Sequence, residues 1–291
     1  MINQISGAEG LSMLGAIVEA VVLCRDVAAA AAFNQAAFDL EVLETSGNEL
    51  VMGVAGSPTG RIRLTPGPID GVSRADPEMW DTGPRLLGMY SRNIELTAAR
   101  IVAAGGSALP LTSYPYGAST MYEFVGLGSD GVYWTIPEVG LTHRPSPALA
   151  GDLMRLHSEL HSAVLVTADH DATLDFFVAG GGLNVIFDGE LAGENFERLL
   201  GMPSGAIVRL SFLACADQSP ARMEIMSFSG VEGENRREFP IGLRRLVFAS
   251  DDVEGTMTAL EKHGGRRLGF NLIGGPDGLE VQILADSEAS K

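Results

Sequence analysis

The chain has 291 residues, 46% hydrophobic and 20% charged, so it can bury two cores of ordinary size and is not a disordered polymer. Its formal net charge of −17, with Lys262 and Lys291 as its only lysines, argues against nucleic acid and anionic membrane as partners. Cys24 and Cys215 are the only cysteines, and the apolar text around Cys24 predicts a buried thiol rather than a disulfide or a metal ligand.

In chain order, Ala16–Cys24 (AIVEAVVLC) reads as a strand and the Ala-rich stretch Val27–Phe38 as a helix. EVLETS, NELVMGV and GRIRLTP follow as three strands separated by Gly, Asn and Pro. The order β-α-β-β-β returns over residues 83–138, with strands near Leu86–Ser91, Ala108–Ser113, Thr120–Phe124 and Val132–Pro137. Residues 138–159 carry Pro145 and Pro147 and predict a connection with a short helix around Leu149–Leu156. The third quarter opens on HSAVLVTAD and adds a helical stretch near Gly193–Leu200 before the strands AIVRLSFLACA and ARMEIMSF. The fourth opens on LRRLVFASDD and closes on EVQILAD. The run Leu11–Leu23 is too short to span a bilayer and holds Glu19. With no basic region or small-residue cleavage site before it, the reading is a cytoplasmic protein.

These quarters repeat one another. Asn93–Gly106 (NIELTAARIVAAGG) and Asp252–Gly265 (DVEGTMTALEKHGG) each open on a turn residue, run as a helix and stop at Gly-Gly. An Asp-Gly turn and a final strand follow each, SDGVYWTIPE from Ser129 and PDGLEVQILA from Pro276. Asp26, Phe33 and Leu40 keep the spacing of Asp169, Phe176 and Leu183. A period of this kind sets architecture before any single residue is interpreted. The interval from Gly265 to Asp277 is half that from Gly106 to Asp130, so the middle hairpin of the fourth unit is short. The expected fold is α+β: four βαβββ modules in two pseudo-symmetric domains, residues 15–140 (modules one and two) and 159–287 (modules three and four), joined by a linker at 141–158. A sheet with a helix on one face leaves its other face to enclose a cavity.

The phrases Glu19…Asp26…Phe33…Leu40 and Ser162…Asp169…Phe176…Leu183, with SDG or PDG before a last strand, resemble the vicinal oxygen chelate superfamily. That group includes glyoxalase I, bleomycin-resistance proteins and type I extradiol dioxygenases. The resemblance spans about residues 15–286. It implies two glyoxalase-like domains, a small-molecule ligand, and a divalent metal held by the first and last strands of modules and chelated by neighbouring substrate oxygens. Carried over one at a time, the ligand positions fall on Glu19 and Arg63 in the first module and on Leu86 and Thr135 in the second. In the third they fall on Ser162, with His161 beside it, and on Glu224. In the fourth they fall on Arg245 and Gln282. A guanidinium does not ligate a cation, so Arg245 departs from the dioxygenase pattern and argues against iron-dependent ring cleavage.

Two registers are open for His161 and Ser162. A helix-side stripe of Val164, Val166 and Ala168 would turn His161, Ala163 and Leu165 to the cup, which favours His161. Glu224 in ARMEIMSF would be costly in an apolar cup without a cation, and Arg245 is its expected partner. Glu19 and Arg63 form a carboxylate–guanidinium pair in a secondary N-terminal cup. Tyr114, Tyr116, Met121, Tyr122 and Trp134 read as sheet–helix core rather than as a cup wall. His170–Asp171 reads as a helix start, and His143, His157 and His263 lack metal spacing. GLGSDG at Gly126–Gly131 has no helix after it and is not a nucleotide loop.

The expected function is lyase or isomerase chemistry through an enolate on an oxygen-rich, partly apolar substrate. His161 and Glu224 would hold the metal or move a proton, Glu224 and Arg245 would be catalytic, and Arg245, Gln282 and Ser162 would bind substrate. The alternatives are a metal-free binding protein of the resistance type, a degenerate dioxygenase-like protein, and a chain whose shortened fourth module docks a second subunit, as in a homodimer.

Overall fold

The computed structural model describes residues 14–57, 59–68, 77–140, 144–216, 221–235 and 239–289. His143 lies outside them. The first module is β1 (Ile17–Cys24), α1 (Val27–Phe38), β2 (Glu41–Ser46), β3 (Glu49–Gly53) and β4 (Arg61–Pro66). The second is β5 (Gly83–Gly88), α2 (Ile94–Ala103), β6 (Ser107–Ala108), β7 (Thr112–Tyr116), β8 (Ser119–Leu127) and β9 (Tyr133–Pro137). After α3 (Pro147–Gly151) come β10 (Ser162–Val166), α4 (His170–Asp175) with a π turn over Phe176–Gly180, β11 (Asn184–Ala192), α5 (Glu194–Leu200), β12 (Ile207–Ala214) and β13 (Arg222–Ser229). The fourth module is β14 (Gly242–Ser250), α6 (Val253–Lys262), β15 (Arg266–Arg267), β16 (Leu272–Gly274) and β17 (Glu280–Ala285), followed by α7 (Asp286–Ala289).

The turn residues named above start the helices by capping them. Side-chain oxygens of Asp26, Asn93, Asp169 and Asp252 accept from the backbone N–H groups of Ala29, Leu96, Ala172 and Gly255 at 2.8–3.0 Å. The connecting helix is shorter than expected and begins two residues earlier, because Ser146 caps it and is itself held by Glu159 at 2.6 Å. In the fourth module β15 and β16 reduce the middle hairpin to two and three residues. Among the described residues, no helix is long and apolar enough to cross a membrane.

The strands form an eight-stranded sheet, β15-β16-β17-β14-β1-β4-β3-β2, and a nine-stranded sheet, β11-β12-β13-β10-β5-β9-β8-β6 with β7 beside β8. Modules one and four therefore share one sheet and modules two and three the other. This corrects the expectation that chain neighbours share a cup. The seams are antiparallel, with Ala20 opposite Leu246 in one and Ala163 opposite Leu87 in the other. A repeat shows that each first strand has an open edge to fill, but every first strand offers the same edge. The partner is chosen by tertiary packing.

Chain neighbours meet instead through their helices and Asp-Gly turns. α1 packs on α2, and α6 packs on the π turn after α4. Asp130 accepts from Arg25 N at 3.1 Å, and Asp277 accepts from Thr167 Oγ1 at 2.6 Å. Both sheets turn their helix-bearing faces into one continuous core, which includes Ala20, Leu246, Leu87, Ala163 and Ile225. The two concave faces thus open away from each other. Cys24 and Cys215 are buried and not joined in a disulfide, as expected of Cys24, and burial raises the Cys24 thiol pKa.

Candidate functional site

One set of convergent polar groups lies in the cup of the second and third modules. β10 runs parallel to β13 with Ser162 opposite Arg222, Val164 opposite Glu224 and Val166 opposite Met226. It runs antiparallel to β5 with Ser162 opposite Gly88 and Val164 opposite Leu86. Beyond β5, Thr135 pairs with Gly88, and Glu123 of β8 pairs with Pro137 of β9. Alternation along these strands sends Ser162, Arg222, Glu224, Thr135 and Glu123 to one face, the cup. Val164 and Val166 join its apolar cluster, whereas Ala163 and Leu165 lie in the inter-sheet core. The expected phase of β10 is therefore reversed.

His161 still lines the cavity, because it precedes the strand and escapes its alternation. Its N–H donates to Gly88 O and its carbonyl accepts from Arg222 N, both at 2.8 Å. Its ring stands edge-on to Tyr90, with centroids 4.0 Å apart. A Cβ at Gly88 would come within 2.1 Å of Ser162 Oγ and 2.7 Å of His161 Cε1, so glycine there leaves room for both side chains. His161 is 5% exposed and Ser162 fully buried, yet among the described residues neither ring nitrogen of His161 nor Ser162 Oγ has a hydrogen-bond partner. Burial, and then the charges of Arg222 and Arg144, hold the His161 pKa well below its ordinary value, so the imidazole is neutral.

Glu224 accepts from Arg222 Nε at 2.8 Å, and the Arg222 guanidinium lies 3.7 Å over the Phe212 ring. Sequence reasoning paired Glu224 with Arg245; the period of ARMEIMSF already carried Arg222 on the same face. Glu123 accepts from Tyr114 Oη and Thr135 Oγ1. Burial raises its carboxyl pKa, against those two bonds. Glu123, Arg222, Tyr90 and Arg144 were missed as site residues, and for Glu123 only the alternation of MYEFVG could have signalled it. Tyr114, Tyr116 and Met121 line the cavity, Trp134 belongs to the core, and Tyr122 is 49% exposed. The helix α5 closes the apolar end with Phe196, Leu199 and Leu200, leaving about 80 Å³.

The other cup holds Glu19, Arg63, Arg245 and Gln282, which the sequence had divided between two domains. Their polar groups are already committed. Arg63 binds Glu19 through Nε (2.7 Å) and Nη2 (3.0 Å). Arg245 binds Glu280 (2.8 Å) and Gln282 (3.2 Å), and Glu280 also accepts from Arg244. Arg245 and Gln282 therefore do not meet His161 and Glu224. Elsewhere His170 starts α4 and bonds Ser211 and Ser227, buried His157 bonds Thr97, and His263 pairs with Asp175 at the surface.

No protein-family model matches the sequence, and no curated protein matches it. Solved structures do. A glyoxalase I variant from Zea mays superposes with a TM-score of 0.67 at 14% identity, over 94% of this chain and 93% of that one. Glyoxalase I from Zea mays itself gives 0.63 at 15% identity, over 94% and 93%. A putative dioxygenase from Bacillus subtilis gives 0.59 at 13% identity, over 95% and 86%. The chain has the vicinal oxygen chelate fold. At these identities the likeness establishes the fold alone.

The residues present do not complete the metal centre that the vicinal oxygen chelate fold leads one to expect. The four first- and last-strand positions of the polar cup are Leu86, Thr135, Ser162 and Glu224, and the one carboxylate among them is tied to a guanidinium. His161 adds one donor. Among the described residues, no group of three His, Cys, Asp or Glu is placed to hold an ion.

Proposed function

We propose that the cup of the second and third modules is the active site of a small-molecule enzyme, and that its reaction moves a proton on an oxygen-rich, partly apolar substrate by lyase or isomerase chemistry. The observation that carries this reading is His161: a neutral imidazole with two unpartnered nitrogens, lining a cavity beside a guanidinium. A buried polar side chain without a partner is costly, and a substrate that supplies one recovers that cost. In the proposed reaction His161 takes a proton from carbon next to a carbonyl. Ser162 Oγ donates to the enolate oxygen, and Arg222, aligned by Glu224, holds the neighbouring oxygens of the substrate. The apolar walls exclude water and seat the rest of the substrate.

The test is exchange of solvent deuterium into small carbonyl compounds, followed by NMR. Wild-type protein should catalyse exchange, and His161→Gln should lower the rate by roughly 10²–10⁴-fold while the protein keeps its unfolding midpoint. Equal rates in the two proteins would remove His161 from the mechanism. A second reading, binding without turnover, is favoured by the apolar lining and the incomplete donor set. Thermal stabilisation by a compound that is never transformed would support it.

A further inference from the structure

We propose that the group this cup is built to hold is the carboxylate of a short-chain acid, gripped by the free edge of Arg222, with the acid's apolar tail lying under α5. The inference rests on the reading of this cup as the functional site and names its ligand class.

Arg222 is fixed on three sides. Its backbone N–H donates to His161 O at 2.8 Å. Its Nε donates to Glu224, and its face is stacked on Phe212. Among the described residues, its two terminal nitrogens donate to nothing. A guanidinium whose orientation is set and whose terminal edge is open presents two parallel N–H groups at the spacing of two carboxylate oxygens. The groups next to it point to the same ligand. Ser162, its cross-strand partner, and His161 are buried and unpartnered, so polar ligand atoms are wanted at this end of the cavity.

Local charge agrees. Arg222 and Arg144 act on the same imidazole, and Arg144 itself is pushed down by burial and then by the charge of Arg222. Glu224 is ion-paired with Arg222. Glu123, the other acid of the cup, is occupied by two hydroxyl donors, and burial favours its uncharged form. Two guanidiniums beside one imidazole favour an anion at this end of the cavity.

The opposite end sets the tail. Phe196, Leu199 and Leu200 of α5 face Val208, Leu210 and Met226, with no charged group among them. The volume of about 80 Å³ is near half of the ~150 Å³ that admits benzene in an apolar protein cavity, which limits the tail to a few carbons.

The test titrates the full chain with 2-oxobutyrate, with the neutral ketone butanone and with inorganic phosphate. Calorimetry gives the affinity, and the His161 ring signals give the place of binding. Wild-type protein should prefer 2-oxobutyrate over butanone by about ten-fold or more, the worth of a charge-assisted bidentate contact. Arg222→Gln should erase that preference and leave butanone within about two-fold. Should Arg222→Gln fail to fold, Leu199→Phe, which fills the tail end, should weaken 2-oxobutyrate and spare pyruvate. Equal affinity for acid and ketone, both moving the His161 signals, would overturn the carboxylate assignment and keep the cup as the site. Phosphate binding more tightly than any acid would also overturn it. Signals of His161 unmoved by every compound would end both readings.

Discussion

His161 shows how one side chain can be placed correctly by an argument whose phase is wrong. The alternation that favoured it assigns Val164 and Val166 to the helix side, and they belong to the cup. The imidazole reaches the cavity because it stands just before β10, where strand alternation no longer governs direction. Sequence periodicity resolves which residues share a face, so Glu224, Arg222 and Met226 were legible as a set. It does not resolve which face, when both faces of a strand are buried and apolar, as they are in SAVLV. The neutral state of His161 has a kinetic consequence. A general base with an ordinary imidazole would lose activity below about pH 6.5. Here burial and two guanidiniums disfavour the proton, so the acid limb of kcat/KM should lie clearly below that value. An acid limb at the ordinary value would mean that the base is elsewhere. His157 makes the equivalent prediction for stability. Burial lowers its pKa to about 4, with no exposed surface, between α1 and α2. The unfolded chain takes up this proton first. Stability is therefore held above about pH 6.5 and falls as pH drops toward 4, by about 3 kcal/mol from this group alone. His157→Gln should flatten that part of the urea-midpoint profile between pH 7 and 4.5. An unchanged slope would show that other groups set the acid sensitivity.

The elements themselves were largely readable, because helix starts are local chemistry and strand lengths are bounded by turn residues. The shortened hairpin of the fourth module and the extra helix α5 were both visible as changes of interval. What the interval does not carry is where the added element lands, and α5 lands over the cavity. The Asp-Gly turns are a second case. The sequence marks them as turns, while their work is between modules. Asp130 and Asp277 both hold the left-handed conformation, at φ 55 and 45, and both accept hydrogen bonds from the end of another module's first strand. Asparagine tolerates this backbone and keeps an acceptor; alanine does neither. Asp277→Ala should therefore cost roughly 1–3 kcal/mol in urea unfolding, the range for a lost buried bond together with backbone strain, and Asp277→Asn markedly less. If the two variants unfold at the same denaturant concentration, the contact to Thr167 contributes nothing measurable.

On the scale of the whole molecule, the sheets join quarters that are distant in the chain, and this decides how separable the two cups and the two halves are. Glu19, Arg63 and Arg245 of the first-and-fourth cup are paired within that cup, and its concave face opens away from the polar cup. Arg245→Gln should accordingly leave ligand affinity in the other cup within about two-fold, since sites without shared partners act independently. A larger loss would show coupling through the inter-sheet core. The same topology predicts the behaviour of a cut chain. A break in the connection between residues 140 and 146 leaves β1 and β5 in the first piece and β10 and β14 in the second, so each piece holds one side of both seams. Alone, either piece exposes two unpaired strand edges and the apolar faces behind them, a state prone to self-association. Separately produced pieces should be unfolded or oligomeric. Mixing them should restore a one-to-one complex with the ligand response of the intact chain, read by light scattering and by the His161 ring signals. A single piece that sediments as a monomer and unfolds cooperatively would mean that its own two modules can close a sheet together, as the sequence repeat alone first suggests. In that case the choice between the two pairings would rest with the connection rather than with the seams.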